Sequence, residues 1–301
     1  MTDLKPMNKT LADSLASLLR TVEEKKQRQI NEETITPMAK KNLPVVDEKI
    51  MLPAWPNDKR AIPHPFVRSA LFGIVKKGER KYLKKQLITS VNGLKIMFTG
   101  ETLDQSDLDV YLAILHHLSK DALGNIVEMT SYELLKSMGL KNGNNYEILD
   151  SNITRMVACA VHVDTEKYHY VGSLLEKGYK DKDTKKWVLQ LNPDLLTLFK
   201  NNEFAHLDFE IRTKLKGQLA KWLFSFYSSH EKPFPYKVET LKELCGSETK
   251  ELFKFKQQIQ KALDEIVKVS GDNNVKVKYE IINGCVHFER ISVANLLKKI
   301  V

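Results

Sequence analysis

Thr130-Ser131-Tyr132-Glu133-Leu134-Leu135-Lys136-Ser137-Met138-Gly139-Leu140-Lys141-Asn142-Gly143 opens a pattern that the chain writes a second time from Lys237-Val238-Glu239-Thr240-Leu241-Lys242-Glu243-Leu244-Cys245-Gly246. In each copy a short apolar helix ends on glycine, a polar turn comes next and a longer helix begins. The longer helix of the first copy carries Tyr146, Leu149, Ile153, Met156, Val157 and Ala160, and that of the second carries Leu252, Phe255, Ile259, Ala262, Leu263 and Ile266. The two sets superpose position for position, and spacings of three and four residues make one face of a helix. Two helices joined by a glycine-containing turn, the second showing a polar outer face, form a helix-turn-helix.

Downstream of each longer helix the pattern continues. After Ala160 the chain is strand-like through Val161-His162-Val163, turns at Asp164 to Lys167, resumes from Tyr168 to Leu174, and pairs with Trp187 to Leu191. After Val269 it turns at Ser270 to Asn274, alternates from Val275 to Ile282, turns at Asn283-Gly284 and continues from Cys285 to Ile291. Asn-Gly between alternating runs is a hairpin signal. The expected fold class is therefore α+β, with two winged-helix units in tandem, each a helix-turn-helix plus a β-hairpin wing. The stripes alone would also suit two unrelated small α+β units with ordinary cores.

Outward from these copies the chain divides into three stretches: 1–55, 56–200 and 201–301. In the first, Asn8 to Gln29 places Leu11, Leu15, Leu18, Leu19 and Val22 on one face. Such an amphipathic helix either docks on a partner or packs on its own domain. Four prolines between Thr34 and Pro56 make the rest of this N-terminal segment a flexible linker. In the second stretch, Phe66 to Val75 reads as a short buried helix, Tyr82 to Ile88 and Leu94 to Phe98 as strands around Asn92-Gly93, and Gln105 to Leu118 as a helix capped near Asp104. The last corresponds to one helix from Phe209 to Tyr227 in the third stretch.

Composition sets the outer limits. The 301 residues, 42% of them hydrophobic, can fill two cores. A net charge of +9 favours a polyanionic partner. Three scattered cysteines, Cys159, Cys245 and Cys285, make no disulfide framework and fit a reducing compartment. No apolar run reaches the roughly 20 residues of a membrane span, and the N-terminus has no signal core. These features point to a cytoplasmic protein without a membrane partner.

Three groups of residues carry a resemblance. Leu52-Pro53-Ala54-Trp55-Pro56-Asn57-Asp58, Arg68-Ser69-Ala70-Leu71-Phe72-Gly73, and Phe98-Thr99-Gly100-Glu101-Thr102-Leu103-Asp104-Gln105-Ser106-Asp107-Leu108-Asp109-Val110 together resemble the TrfA family of plasmid replication initiators. Tyr170-Val171-Gly172-Ser173-Leu174-Leu175 and Leu191-Asn192-Pro193-Asp194-Leu195-Leu196-Thr197-Leu198-Phe199 extend it. The resemblance implies an initiator that binds iteron repeats of double-stranded origin DNA, helps melt an adjacent AT-rich segment, contacts its single strands and recruits the host replicative helicase and initiator. It leaves open whether a stored homodimer must dissociate. Where the family can carry a clamp-binding peptide of the Gln-Leu-x-Leu-Phe type, this chain reads Glu48-Lys49-Ile50-Met51-Leu52, without the glutamine or the phenylalanine. Sliding-clamp contact is therefore not carried over. Leu195 to Phe199 looks superficially similar but reads as a buried helix.

Helical geometry places the DNA-reading candidates opposite each stripe. In the first copy these are Asn144, Ser151 and Arg155, with Lys141 in the turn and Glu147 on the same face; in the second they are Lys250, Lys254, Gln257, Lys261 and Lys268, with Asp264. Arginine can hold guanine bidentately and glutamine or asparagine adenine, whereas lysine more often holds phosphate. Merely solvated faces would carry similar residues. Lys76-Lys77, Arg80-Lys81 and Lys84-Lys85 form a third basic cluster, either tracking phosphates or simply lying at the surface. Leu11, Leu15, Leu18 and Leu19 are the partner-docking candidates.

Catalytic and cofactor chemistry finds no support. A phosphate-cradling Gly-rich loop ending in Lys-Ser/Thr is missing. His162 and His169-Tyr170 have the wrong spacing for the His-x-His strand and nucleophilic tyrosine of an origin nickase. Cys159 with His162 and His169 lacks a fourth metal ligand. His116-His117 reads as one core and one surface histidine. An initiator is thus the leading reading, a winged-helix repressor that merely occupies its operator is the alternative, and a nickase is the weakest.

Overall fold

The computed structural model describes residues 52–291 except 77, 92, 121–124, 141–144, 165–168 and 185. The architecture is a mixture of helices and small sheets, all antiparallel among the described residues except one two-residue parallel pair. It begins with β1 (Lys59–Pro63), the short α1 (His64–Val67), β2 (Phe72–Gly73), β3 (Tyr82–Ile88), β4 (Lys95–Glu101) and β5 (Leu103–Asp104). The helix expected from Phe66 to Val75 is thus a correction. Pro65 starts a single turn, and Phe72-Gly73 then runs parallel to Leu103-Asp104 as a two-residue strand.

Next come α2 (Gln105–Leu118), β6 (Ile126–Thr130), α3 (Ser131–Ser137), α4 (Asn145–Val157), β7 (Ala160–Asp164), β8 (His169–Gly172), β9 (Leu175–Lys180) and β10 (Lys186–Leu191). Asp104 caps α2 in a reciprocal box: its carboxylate accepts from the Asp107 amide at 3.2 Å, and Asp107 accepts from the Asp104 amide at 2.9 Å. Thr130 and Glu133 do the same for α3. β10 pairs with β6 and β9, not with the stretch from Tyr168 to Leu174. That stretch instead supplies β8, which joins β7 in a four-stranded sheet of order β3-β4-β7-β8. Ala160 opens β7 and does not end α4. The alternation of Trp187 to Leu191 was readable, but alternation does not name the partner strand.

A 3₁₀ helix (Pro193–Asn202) buries Leu195, Leu196, Leu198 and Phe199, and leads to β11 (Phe204–Asp208), which pairs back on β1. The chain ends with α5 (Phe209–Lys214), α6 (Gln218–Ser228), β12 (Tyr236–Lys237), α7 (Val238–Leu244), α8 (Leu252–Asp272), β13 (Lys276–Ile282) and β14 (Cys285–Ile291). The single helix expected from Phe209 to Tyr227 is broken at Leu215 to Gly217, where Glu265 of α8 accepts the freed amide of Lys216 at 2.5 Å. Asn283 (φ 50°) and Gly284 (φ 76°) both have positive φ, which suits the two-residue turn of the β13–β14 hairpin.

The buried apolar residues fall into two clusters, one drawn from Leu52 to Phe209 and the other from Ile211 to Val286. β11 crosses the boundary expected at residue 200 to pair with β1. Polar bonds join the clusters. The Gln218 side chain both donates to and accepts from the Val75 backbone, at 2.9 and 3.0 Å, and the Trp222 indole donates to the Ser69 carbonyl at 3.2 Å. At Gly73 the backbones approach so closely that a Cβ would lie 3.1 Å from the Cys245 carbonyl oxygen, which already accepts the Ile74 amide.

Candidate nucleic-acid interface

The shorter helices that precede the longer ones end alike. Gly139 (φ 70°) and Gly246 (φ 69°) end α3 and α7 in the left-handed region. In the first, the amides of Gly139 and Leu140 return to the carbonyls of Lys136 and Leu135; in the second, those of Gly246 and Ser247 return to Glu243 and Lys242. This is the bonding of a Schellman motif, which satisfies the last carbonyls while redirecting the chain. Each longer helix then packs on its shorter partner through the expected stripe. Leu149, Ile153 and Met156 are buried on α4, as are Phe255, Ile259, Ala262, Leu263 and Ile266 on α8. Tyr146 and Val157 are half-buried and Leu252 is exposed, so each stripe weakens at its ends.

The outer face of α8 carries Lys250 from the preceding turn, then Lys254, Gln257, Lys261 and Lys268, all exposed. Lys254 pairs with exposed Glu251 at 3.1 Å, a surface contact that phosphate can displace at little cost. The acid on this face, Asp264, accepts the Tyr279 hydroxyl from β13 at 2.5 Å. Burial, followed by that carboxylate, pushes Tyr279 up to about 12, so the hydroxyl keeps its proton and remains a donor. Exposed residues of α8 that the sequence reading did not single out include Phe253, Lys256, Gln258 and Gln260. Phe253 is the next residue after Leu252, which was assigned to the stripe. The signal that separates them is angular, since Phe253 lies beside Gln257 and Gln260 on the outer surface.

The outer face of α4 is different. Ser151 is exposed, but its hydroxyl donates to the Glu147 carbonyl at 2.9 Å, and Thr154 likewise donates to Asp150 at 2.8 Å. Lys141 and Asn144 lie outside the described residues, as do Leu11, Leu15, Leu18 and Leu19. Arg155 requires correction as a base reader. Its guanidinium turns inward, with Nη2 and Nε 2.9 and 3.0 Å from the same oxygen of fully buried Asp107 and a further bond to Asn152. The guanidinium is thus engaged by a buried carboxylate that also holds the start of α2, and is not presented on the outer face of α4.

Asp107 also disposes of part of the third basic cluster. Arg80 donates to its other oxygen at 3.0 Å and to Asp104 at 2.7 Å, so Arg80 is a structural cation, not a phosphate contact. Burial and the neighbouring Asp104 charge push the Asp107 carboxyl up to about 6, against the two guanidiniums. Lys76 pairs with Glu79 at 3.4 Å and Lys81 with Glu248 at 2.5 Å; Lys77 lies outside the described residues. Lys84 and Lys85 remain exposed on the β3 edge strand.

Among the described residues no group of three or more His, Cys, Asp or Glu is placed to hold a metal ion. Cys159 is buried with its thiol on the Met156 carbonyl, and burial pushes it up to about 11. His116 is buried and accepts the Trp55 indole N–H at 3.0 Å, while His117 is half-buried. No helix of the described residues is long and apolar enough to cross a membrane.

The model of the TrfA protein family matches residues 8–287. The plasmid replication initiator protein TrfA of Escherichia coli is 28% identical over 270 residues, covering 86% of this chain and 68% of that protein. Among solved structures, domains 2 and 3 of RctB superpose with a TM-score of 0.52 at 15% identity, over 75% of this chain and 96% of that one, which shows a shared fold. The Pi initiator protein in complex with iteron DNA gives a TM-score of 0.48 at 14% identity, over 60% of this chain and 90% of that one.

Proposed function

Because the chain belongs to the TrfA family, we propose that it is a plasmid replication initiator that binds iteron repeats at the origin, assists melting of the adjacent AT-rich segment and recruits host replication proteins. The two helix–turn–helix–hairpin successions act as tandem winged helices in units close to 56–200 and 201–301, with α4 and α8 as the helices presented to DNA. The observation that carries this reading is α8, whose packed stripe fixes one side while Lys250, Lys254, Gln257, Lys261 and Lys268 stand exposed on the other. Lysines hold the backbone and set register, and Gln257 can read adenine. Ser151 presents the corresponding face of α4, and Lys141 and Asn144, outside the described residues, are proposed to contact DNA with it. The chain acts by binding, in the cytoplasm, with no catalytic step of its own. Its further partners are the melted single strands, the host helicase and initiator, and a second copy of the chain in a stored dimer.

The test is a nuclease footprint of the full chain on the replicon that encodes it. Regularly spaced direct repeats beside an AT-rich tract are expected. A single palindrome over a promoter would replace this reading with that of a repressor, and relaxation of supercoiled origin plasmid in the presence of metal would show a nickase.

A further inference from the structure

Phe253 stands in the first turn of α8 with 68% of its surface exposed. The helix has ample apolar side chains for its packed face, so Phe253 is not needed there. It is enclosed by exposed polar residues: Lys250, Lys254 and Lys256 around it, and Gln257 and Gln260 one and two turns further on the same side. Apolar surface left in water within a cationic patch is a cost that a polyanionic partner with an apolar group of its own can offset. When a helix of this kind enters the major groove, its N-terminal residues are the ones that reach base edges. A phenyl ring has no hydrogen-bonding group, so it cannot read the donors and acceptors there. The apolar group the major-groove edge offers is the 5-methyl of thymine.

We infer that Phe253 is a specificity determinant that packs on a thymine methyl, next to the base read by Gln257. This rests on the reading of α8 as a groove-entering helix and deepens it, because it assigns A·T preference to that helix while the surrounding lysines supply sequence-independent affinity. A different use of an exposed ring, stacking on unpaired bases, would make it a single-strand contact.

The experiment uses the full chain and a short duplex that it selects from a randomised library. Each thymine is replaced in turn by deoxyuridine, which removes the methyl alone. For the unaltered chain, loss of one buried methyl is expected to weaken binding roughly fourfold at one or two positions. Phe253→Ala should bind the thymine duplex that much more weakly and be indifferent to the replacement at those positions, whereas Phe253→Leu, which keeps an apolar tip, should retain the sensitivity. Equal sensitivity of Phe253→Ala and the unaltered chain at every thymine would overturn the inference and leave the initiator reading standing. So would a defect of Phe253→Ala confined to single-stranded DNA. Failure to enrich any duplex would overturn both.

Discussion

Arg212 of α5, fully buried, places its Nε 2.8 Å from Oδ1 of Asp109 on α2, 103 residues earlier in the chain. Its other nitrogens reach Gln105 Oε1 at 3.0 Å and Ser225 Oγ at 2.7 Å, while Lys221 takes the second oxygen of Asp109. One guanidinium thus ties the first core cluster to the second, with its donors satisfied on two helices, α2 and α6. Breaking a buried pair typically costs about 3–5 kcal/mol. Since Lys221 would still neutralise Asp109, Arg212→Met is expected near the lower end, about 3 kcal/mol, in urea unfolding. A loss below about 1 kcal/mol, the size of a surface ion pair, would show that the junction does not depend on it.

Arg155 and Lys261 should differ in kind. Arg155→Ala removes charge-assisted bonds to Asp107 and is expected to lower stability by about 1.5–3 kcal/mol, with unchanged base preference on the repeat. Lys261→Ala should leave stability alone, weaken repeat and random duplex alike and lower the log K versus log salt slope by about one unit. Titrations at several salt concentrations, paired with urea curves, separate the two. A relaxed base preference in a fully stable Arg155→Ala would return that arginine to the groove.

A third prediction concerns acid. Burial, aided by the charges of Arg60 and Lys120, pulls His116 down to about 3, and the neutral ring accepts the Trp55 N–H. An unfolded histidine titrates near 6.5. Above that value neither state is protonated and His116 costs nothing. As pH falls below it, the unfolded chain takes up a proton that the folded one refuses, so stability drops by about 1.4 kcal/mol per pH unit until the folded value is reached. His116→Gln keeps an acceptor for Trp55 without this titration. The slope of unfolding free energy between pH 6 and 4 should therefore fall by about one proton. Part of the slope will remain, since burial also pulls His64 down to about 4.

How far the sequence reached can be seen in α2 and in Arg155. The bounds Gln105–Leu118 and the Asp104 cap were readable because capping and periodicity are local. So was the Asn283-Gly284 hairpin, whose turn chemistry has few alternatives. The break at Leu215 to Gly217 was not, since it depends on Glu265 arriving from a helix 49 residues later. Arg155 failed for a related reason. Helical period gives the angle of a Cα around the axis, but a long side chain on the flank of α4 can reach back to an acid 48 residues away. Asp107 and Arg80 carried no sequence mark of that meeting.

Deleting Met1 to Ala39 should leave repeat binding and folding intact. Among the described residues the first core cluster begins at Leu52. Among the described residues, the packed stripe of Phe255, Ile259, Ala262, Leu263 and Ile266 is what sets the outward face of α8. An isolated helix of the length suggested by Leu11 to Val22 is marginal in water, so its apolar face needs a partner to be ordered. If Leu11, Leu15, Leu18 and Leu19 dock on the host helicase or its loader, the truncated chain should footprint the origin normally yet fail to support plasmid replication. Substituting those four leucines by serine in the full chain should reproduce the defect without any deletion. Loss of DNA binding or of cooperative unfolding in the truncated chain would instead place this segment in the core of the first unit and end the docking hypothesis.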